Sequence, residues 1–202
     1  MKTQKIQSCS NNAVLFEGIF GSYKECLEQA VCERADLSGA DFKNQNLANA
    51  CLDDGLFSGA DFSGANLAGA NISETVLTNA SFANCDLYNT CFAYADLRTC
   101  VFEGAAFGAT DITGADISGA RFSALSCFSL DFAHARAMLG CRYMSMDGTG
   151  FTFSLPPVVV RGLGPRLLVM AESFCLQGTN TIPCPEPFRP AIPPIAARHI
   201  IS

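Results

Sequence analysis

From Leu37 to Phe132 a large apolar residue recurs at every fifth position, and the residues between are mostly small or polar. The twenty positions of this frame hold nine Phe, seven Leu, three Ile and one Cys, Cys127. Two residues before each centre, eleven of twenty positions are Ala, and most of the others are Thr, Cys or Gly. A period of five matches neither the 3.6 of a helix nor the 2 of a strand. It predicts a solenoid, whose unit is too small to bury its own apolar face and must stack on its neighbours. One large and one small apolar residue per phrase suits a square coil with one phrase per side. The large residue fills the interior, and the small one lets the backbone turn close to it.

Four phrases make a coil of 20 residues, so centres 20 apart fall on one side. Phe42, Phe62, Phe82, Phe102 and Phe122 then form an unbroken core ladder. Leu47, Leu67 and Leu87 share the next side, followed by Phe107. Like-on-like columns are what stacked repeats favour, and a 15-residue coil sorts the Phe less well. About five coils at ~4.8 Å predict a rod ~24 Å long.

The phrases Ala60-Asp61-Phe62, Ala65-Asn66-Leu67, Ala95-Asp96-Leu97 and Ala115-Asp116-Ile117 resemble the A-[DN]-[LF]-x-x motif of the pentapeptide-repeat family. The resemblance covers about 35–136. It implies an all-β solenoid, a right-handed quadrilateral β-helix.

A solenoid exposes raw edges that need caps. Lys5 to Ser8 and Ala13 to Phe20 alternate around Asn11-Asn12, which predicts a hairpin. Ser22-Tyr23-Lys24-Glu25 reads as a capping box opening a short helix, with Tyr23, Cys26, Leu27, Ala30 and Val31 on one face. At the other end Leu125, Cys127 and Leu130 break the size pattern and predict an irregular last coil. Past Arg136, Pro156–Val160 and Arg166–Met170 read as strands joined by Gly162–Pro165, with a third at Phe174–Leu176. The domain reading is therefore 1–34 hairpin and capping helix, 35–136 β-helix, 137–182 β-strand extension, and 183–202 a flexible Pro-rich tail. This order resembles the small pentapeptide-repeat proteins of tailed bacteriophages and prophages.

Eleven cysteines do not predict a disulfide scaffold, because the count is odd, the chain is not short and no C-x-x-C pair occurs. Cys85 and Cys100 take small inward sites; Cys51 and Cys91 point outward, ~10 Å apart, too far for a bridge. MKTQKIQSCSNNAV lacks the apolar run of a signal peptide, and no apolar stretch approaches the ~18 residues of a membrane span. The expectation is a cytoplasmic protein without cofactor or metal. No catalytic constellation appears. His134 faces outward without a partnered acid nearby in sequence, and His199 falls in the tail. Ser145-Met146-Asp147-Gly148-Thr149 places Ser where the D-x-D-G-T phosphatase motif needs its nucleophile, so it reads as an Asp-Gly turn before a strand.

Charge carries the functional content. The net charge is −6, against a nucleic-acid binder. Residues 35–136 hold twelve acids against Lys43, Arg98, Arg121 and Arg136, net −8, whereas 1–34 is neutral and 137–202 is +2. The family resemblance implies an acidic DNA mimic docking a host DNA-acting enzyme such as gyrase; the alternative is a structural or assembly protein with the rod as spacer and the C-terminal β-tail for self-association or partner contact. DNA of the same length carries ~14 charges, about twice the rod's surplus. The gyrase-protecting members usually have a C-terminal dimerisation helix, and many carry loops interrupting the rod; this sequence shows neither. The candidate protein-contact surface is Asp36, Asp96 and Asp116 with the outward apolar residues Leu56, Val76 and Val101. Self-association through an end of the rod is the other expected contact.

Overall fold

A computed structural model describes residues 1–160, 168–177 and 180–183. The Gly162–Pro165 turn and the tail beyond Pro183 lie outside the described residues. Strands β1 (Lys2–Gln7) and β2 (Val14–Phe20) pair antiparallel, from Lys2 opposite Phe20 to Gln7 opposite Val14. Helix α1 (Tyr23–Cys32) follows. Ser22 caps it by accepting from Glu25 N at 3.1 Å, and Glu25 Oε2 accepts from Gly21 N at 2.9 Å. The capping residue thus satisfies one of the helix's free N–H groups. Its buried face is Cys26, Leu27 and Ala30.

Next comes a β-helix solenoid. Parallel bridges join residues 20 apart: Asp36 to Leu56, Asp41 to Asp61, Asn46 to Asn66, Cys51 to Asn71, and onward. Where pairing lengthens it forms short strands: β3 (Asp86–Tyr88) with β5 (Ala106–Gly108), and β4 (Val101–Phe102) with β6 (Arg121–Phe122). The corners explain the five-residue period. From Gly39 to Gly119 every fifth residue has φ between +52° and +73°. The N–H following such a corner commonly bonds the carbonyl three residues back, as in Ala65 N to Phe62 O at 2.8 Å. That bond with a positive φ at the third position is a type II turn, which favours Gly or Asn there.

Every centre from Leu37 to Phe132 is buried. The Phe column stacks with centroids 4.7, 5.1, 5.1 and 5.3 Å apart from Phe42 to Phe122. Tyr23 of α1 meets Phe42 edge-on at 6.4 Å, and Phe132 meets Phe122 edge-on at 5.8 Å. Cys and Thr at the small inward sites also bond: Thr90 Oγ1 donates to Leu67 O at 2.9 Å, and Cys85 Sγ to Phe62 O at 2.8 Å. Both reach 23 residues back, so a polar residue fits the interior because a carbonyl meets it.

Parallel pairing does not stop at Arg136. Two 3-10 turns, Leu125–Ser129 and Phe132–His134, fill the disturbed coil. Asp116 then pairs with Ala137 and Arg121 with Arg142, a step of 21 rather than 20. The added residue moves the chain out of frame, so strands β7 (Cys141–Met144) and β8 (Gly150–Phe153) do not show in a five-residue reading. A period of two does reveal them, with Cys141, Tyr143, Phe151 and Phe153 all buried. Ser145–Thr149 is the turn between them, with Asp147 Oδ1 accepting from Thr149 N at 2.9 Å. Strands β9 (Val158–Val160), β10 (Leu168–Met170), β11 (Phe174–Gln177) and β12 (Asn180–Pro183) form an antiparallel sheet in chain order.

Candidate functional site

The residue before each centre bridges to its counterpart one coil on, which sorts the rod's exterior into four sides. The first runs Asp36, Leu56, Val76, Asp96, Asp116. Five of the six candidate contact residues therefore share one column. Val101 does not: it follows Ser81 on the second side, which continues to Arg121, and it is half-buried. Leu56 and Val76 are 40% and 37% exposed.

Ion pairs redistribute the charge. On the first side Arg98 holds Asp96 at 2.7 Å and Arg136 holds Asp116 at 3.6 Å. The hydrogen bond and charge of Arg98 keep the Asp96 carboxyl below the usual carboxylate range. On the second side Lys43 reaches Asp61 at 3.2 Å, and Arg121 reaches Glu103 at 3.4 Å. All four basic residues of 35–136 are thus engaged on two sides. Asp36 has no basic partner among the described residues; the Ser38 hydroxyl and N–H hold its carboxyl low.

The fourth side differs. It runs Cys51, Asn71, Cys91, Asp111, with Asp131 beyond. Asp53 follows on the same side, and the corner leading to the first side carries Asp54, Glu74 and Tyr94 at positive φ. This side and corner hold five acids over 51–134 and no lysine or arginine. Asp53, Asp54, Glu74 and Asp111 make no ion pair among the described residues. The Thr113 hydroxyl and N–H hold the Asp111 carboxyl low. Sorting only the residue before each centre misses this surface, because Asp53, Asp54 and Glu74 come after their centres.

Tyr94 is 66% exposed and lies over Gly114, where a Cβ would come within 2.5 Å of its ring. Leu56 and Val76 follow the acidic corner directly on the first side. The result is a ridge of acids, one tyrosine and two aliphatic side chains.

His134 has an acid partner after all: its Nδ1 is 2.8 Å from Asp131 Oδ2, and both side chains are 65% exposed. The two are three residues apart at a 3-10 turn, which brings them together. Both groups lie on the surface, and the contact is a local one between side chains three residues apart. Cys51 and Cys91 stand in one column with Asn71 between them. Among the described residues no group of three His, Cys, Asp or Glu is placed to share a metal ion, and no helix is long and apolar enough to cross a membrane.

Comparison with known proteins places the repeat. The family described as Pentapeptide repeats matches in eight copies over 26–64, 56–92, 65–104 and 91–124. No curated protein matches. A pentapeptide repeat protein from the Arabidopsis thaliana thylakoid lumen is 33% identical over 41% of this chain and 65% of its own, with a TM-score of 0.31. Rfr23, a pentapeptide repeat protein from the cyanobacterium Cyanothece 51142, is 20% identical over 46% of this chain and 59% of its own, with a TM-score of 0.35. QnrB1, a plasmid-mediated fluoroquinolone resistance protein, appears in a form 23% identical over 54% of this chain and 65% of its own, with a TM-score of 0.25. The chain thus spans between 59% and 65% of these three proteins. The pentapeptide-repeat family model thus matches residues 26–124 in eight copies, and the backbone bridges every 20 residues through much of the same stretch.

Proposed function

We propose that this protein is a non-enzymatic binding module that docks a partner protein through the ridge between its fourth and first sides. The observation that carries the reading is the charge asymmetry: the basic residues of 35–136 neutralise acids on the first and second sides, leaving the fourth side and its corner acidic. Asp54, Glu74, Asp111 and Tyr94 join Leu56, Val76 and Asp36 as the contact surface. Asp96 and Asp116, paired with arginines, contribute less, and Val101 lies around the next corner. A surface of acids around exposed aromatic and aliphatic residues fits a basic protein surface, not nucleic acid.

The most concrete version is a DNA mimic entering the cationic groove of a DNA-acting enzyme such as gyrase. A supercoiling assay with purified gyrase tests it. Inhibition at micromolar protein, relieved by Asp54→Asn/Glu74→Gln/Asp111→Asn, supports the version; no inhibition at that concentration removes it. In this reading the chain comprises a hairpin and helix (1–34) closing one end of a rod of about five coils (35–136), a β-strand extension (137–182) and a Pro-rich tail (183–202). The order of these parts supports a small phage- or prophage-encoded member acting in the cytoplasm. A second reading is a structural module that self-associates through its end. Among the described residues β12 stands at the edge of its sheet, which favours this reading, since edge strands template further pairing. Deleting 156–202 abolishes self-association in that case and leaves the acidic ridge intact.

A further inference from the structure

Helix α1 crosses the start of the rod and is tied to three of its sides. Tyr23 Oη donates to Asp41 O at 3.3 Å, Lys24 Nζ to Ala48 O at 3.4 Å, and Glu28 Oε1 accepts from Cys51 N at 3.0 Å. Cys51 bridges to Asn71 on its far side, so its N–H would otherwise meet the open edge of the first coil. Cys32 follows Glu28 by four residues, which places the two side chains on one helix face with Cβ atoms about 5–6 Å apart. Cys32 and Cys51 are both exposed thiols. They line one cavity of about 330 Å³, together with Glu28, Val31, Arg34 and Asp53 among others. The spacing of the repeat does not reveal this juxtaposition, because Cys32 precedes the frame.

We propose that Cys32 and Cys51 form a redox pair that closes into a disulfide on exchange with a small-molecule disulfide such as oxidised glutathione. The thiolate of one cysteine attacks the small disulfide and expels one small thiolate. The thiolate of the second then attacks the protein sulfur of the mixed disulfide and expels the other. Two protein thiols and one small disulfide become one protein disulfide and two small thiols; the two thiol protons pass to the expelled thiolates. A bridge needs Cα atoms within about 7 Å. The last turn of α1 is followed by Glu33 and Arg34, both exposed. The closed bridge clamps the C-terminal end of α1 to the first coil across a loop of about 20 residues, restricting the unfolded chain. The other thiols nearby are placed differently: Cys26 is on the buried face of α1, and Cys9 donates to Ala40 O.

Full-length protein treated with oxidised glutathione, alkylated and mapped by mass spectrometry without reduction tests the proposal. The expected result is a linked peptide pair containing Cys32 and Cys51, with a Tm raised by several degrees and restored by dithiothreitol. C32S and C51S, both at exposed positions, show neither the link nor the shift. Persistent glutathione adducts on either thiol, pairing of either with Cys9 or Cys91, or two unmodified thiols each overturn it.

Discussion

Corner residues show how closely backbone geometry constrains this chain. Ala109 holds φ +52°, a region that disfavours a Cβ. Ala109→Gly relieves that strain at some cost in chain entropy, and the expected outcome is about 0.5–1 kcal/mol of added stability by urea unfolding. Gly64 is the reverse case. Its φ is +71°, and a Cβ there would stand 2.3 Å from Asn44 Oδ1 in the coil before. Gly64→Ala is expected to cost at least about 1 kcal/mol. Equal effects of the two changes would mean the corners are not what holds the period.

At the scale of elements, the Phe column dominates the interior. Phe82 stacks between Phe62 and Phe102 at 5.1 Å each. Phe82→Ala is expected to cost about 3–5 kcal/mol, against about 1 kcal/mol for loss of the helix cap in Ser22→Ala; thermal melts rank the two. The column was legible in the sequence because a fixed period places each Phe without any knowledge of the loops. The capping helix was legible through Ser22 and Glu25. Strand β7 was not, because one residue added between Arg121 and Arg142 shifts the frame and the period changes from five to two, whereas β8 was read as the strand after the Asp-Gly turn. The candidate site was legible in part. Leu56 and Val76 share the predicted column, but Arg98, which pairs Asp96, comes after its centre, as do Asp53, Asp54 and Glu74, and Arg136, which pairs Asp116, lies beyond the last centre.

For the whole molecule, titration sets two limits of stability. Hydrogen bonds hold Asp96 and Asp111 below their ordinary range in the folded state, joined at Asp96 by the charge of Arg98. Their contribution is present above about pH 4, the unfolded value, and is lost as pH falls through the lower folded values. Burial pushes the thiols of Cys85 and Cys141 up to about 12. Their contribution is complete below about pH 8.5, the unfolded thiol value, and is lost as pH rises from there toward 12. Thermal melts from pH 2 to 11 should show a plateau with a fall at both ends. A Tm unchanged from pH 7 to pH 11 would contradict the burial of these thiols.

Partner capture from bacterial lysate, compared between two neutralised proteins, tests the docking ridge most directly. Asp54→Asn/Glu74→Gln/Asp111→Asn is expected to lose the bound partner, and the wild-type interaction to weaken steeply with salt. Asp96→Asn/Asp116→Asn, which removes acids already paired with arginines, is expected to retain it. Retention by the first protein, or equal loss by both, would contradict the assignment of the acidic ridge as the contact surface.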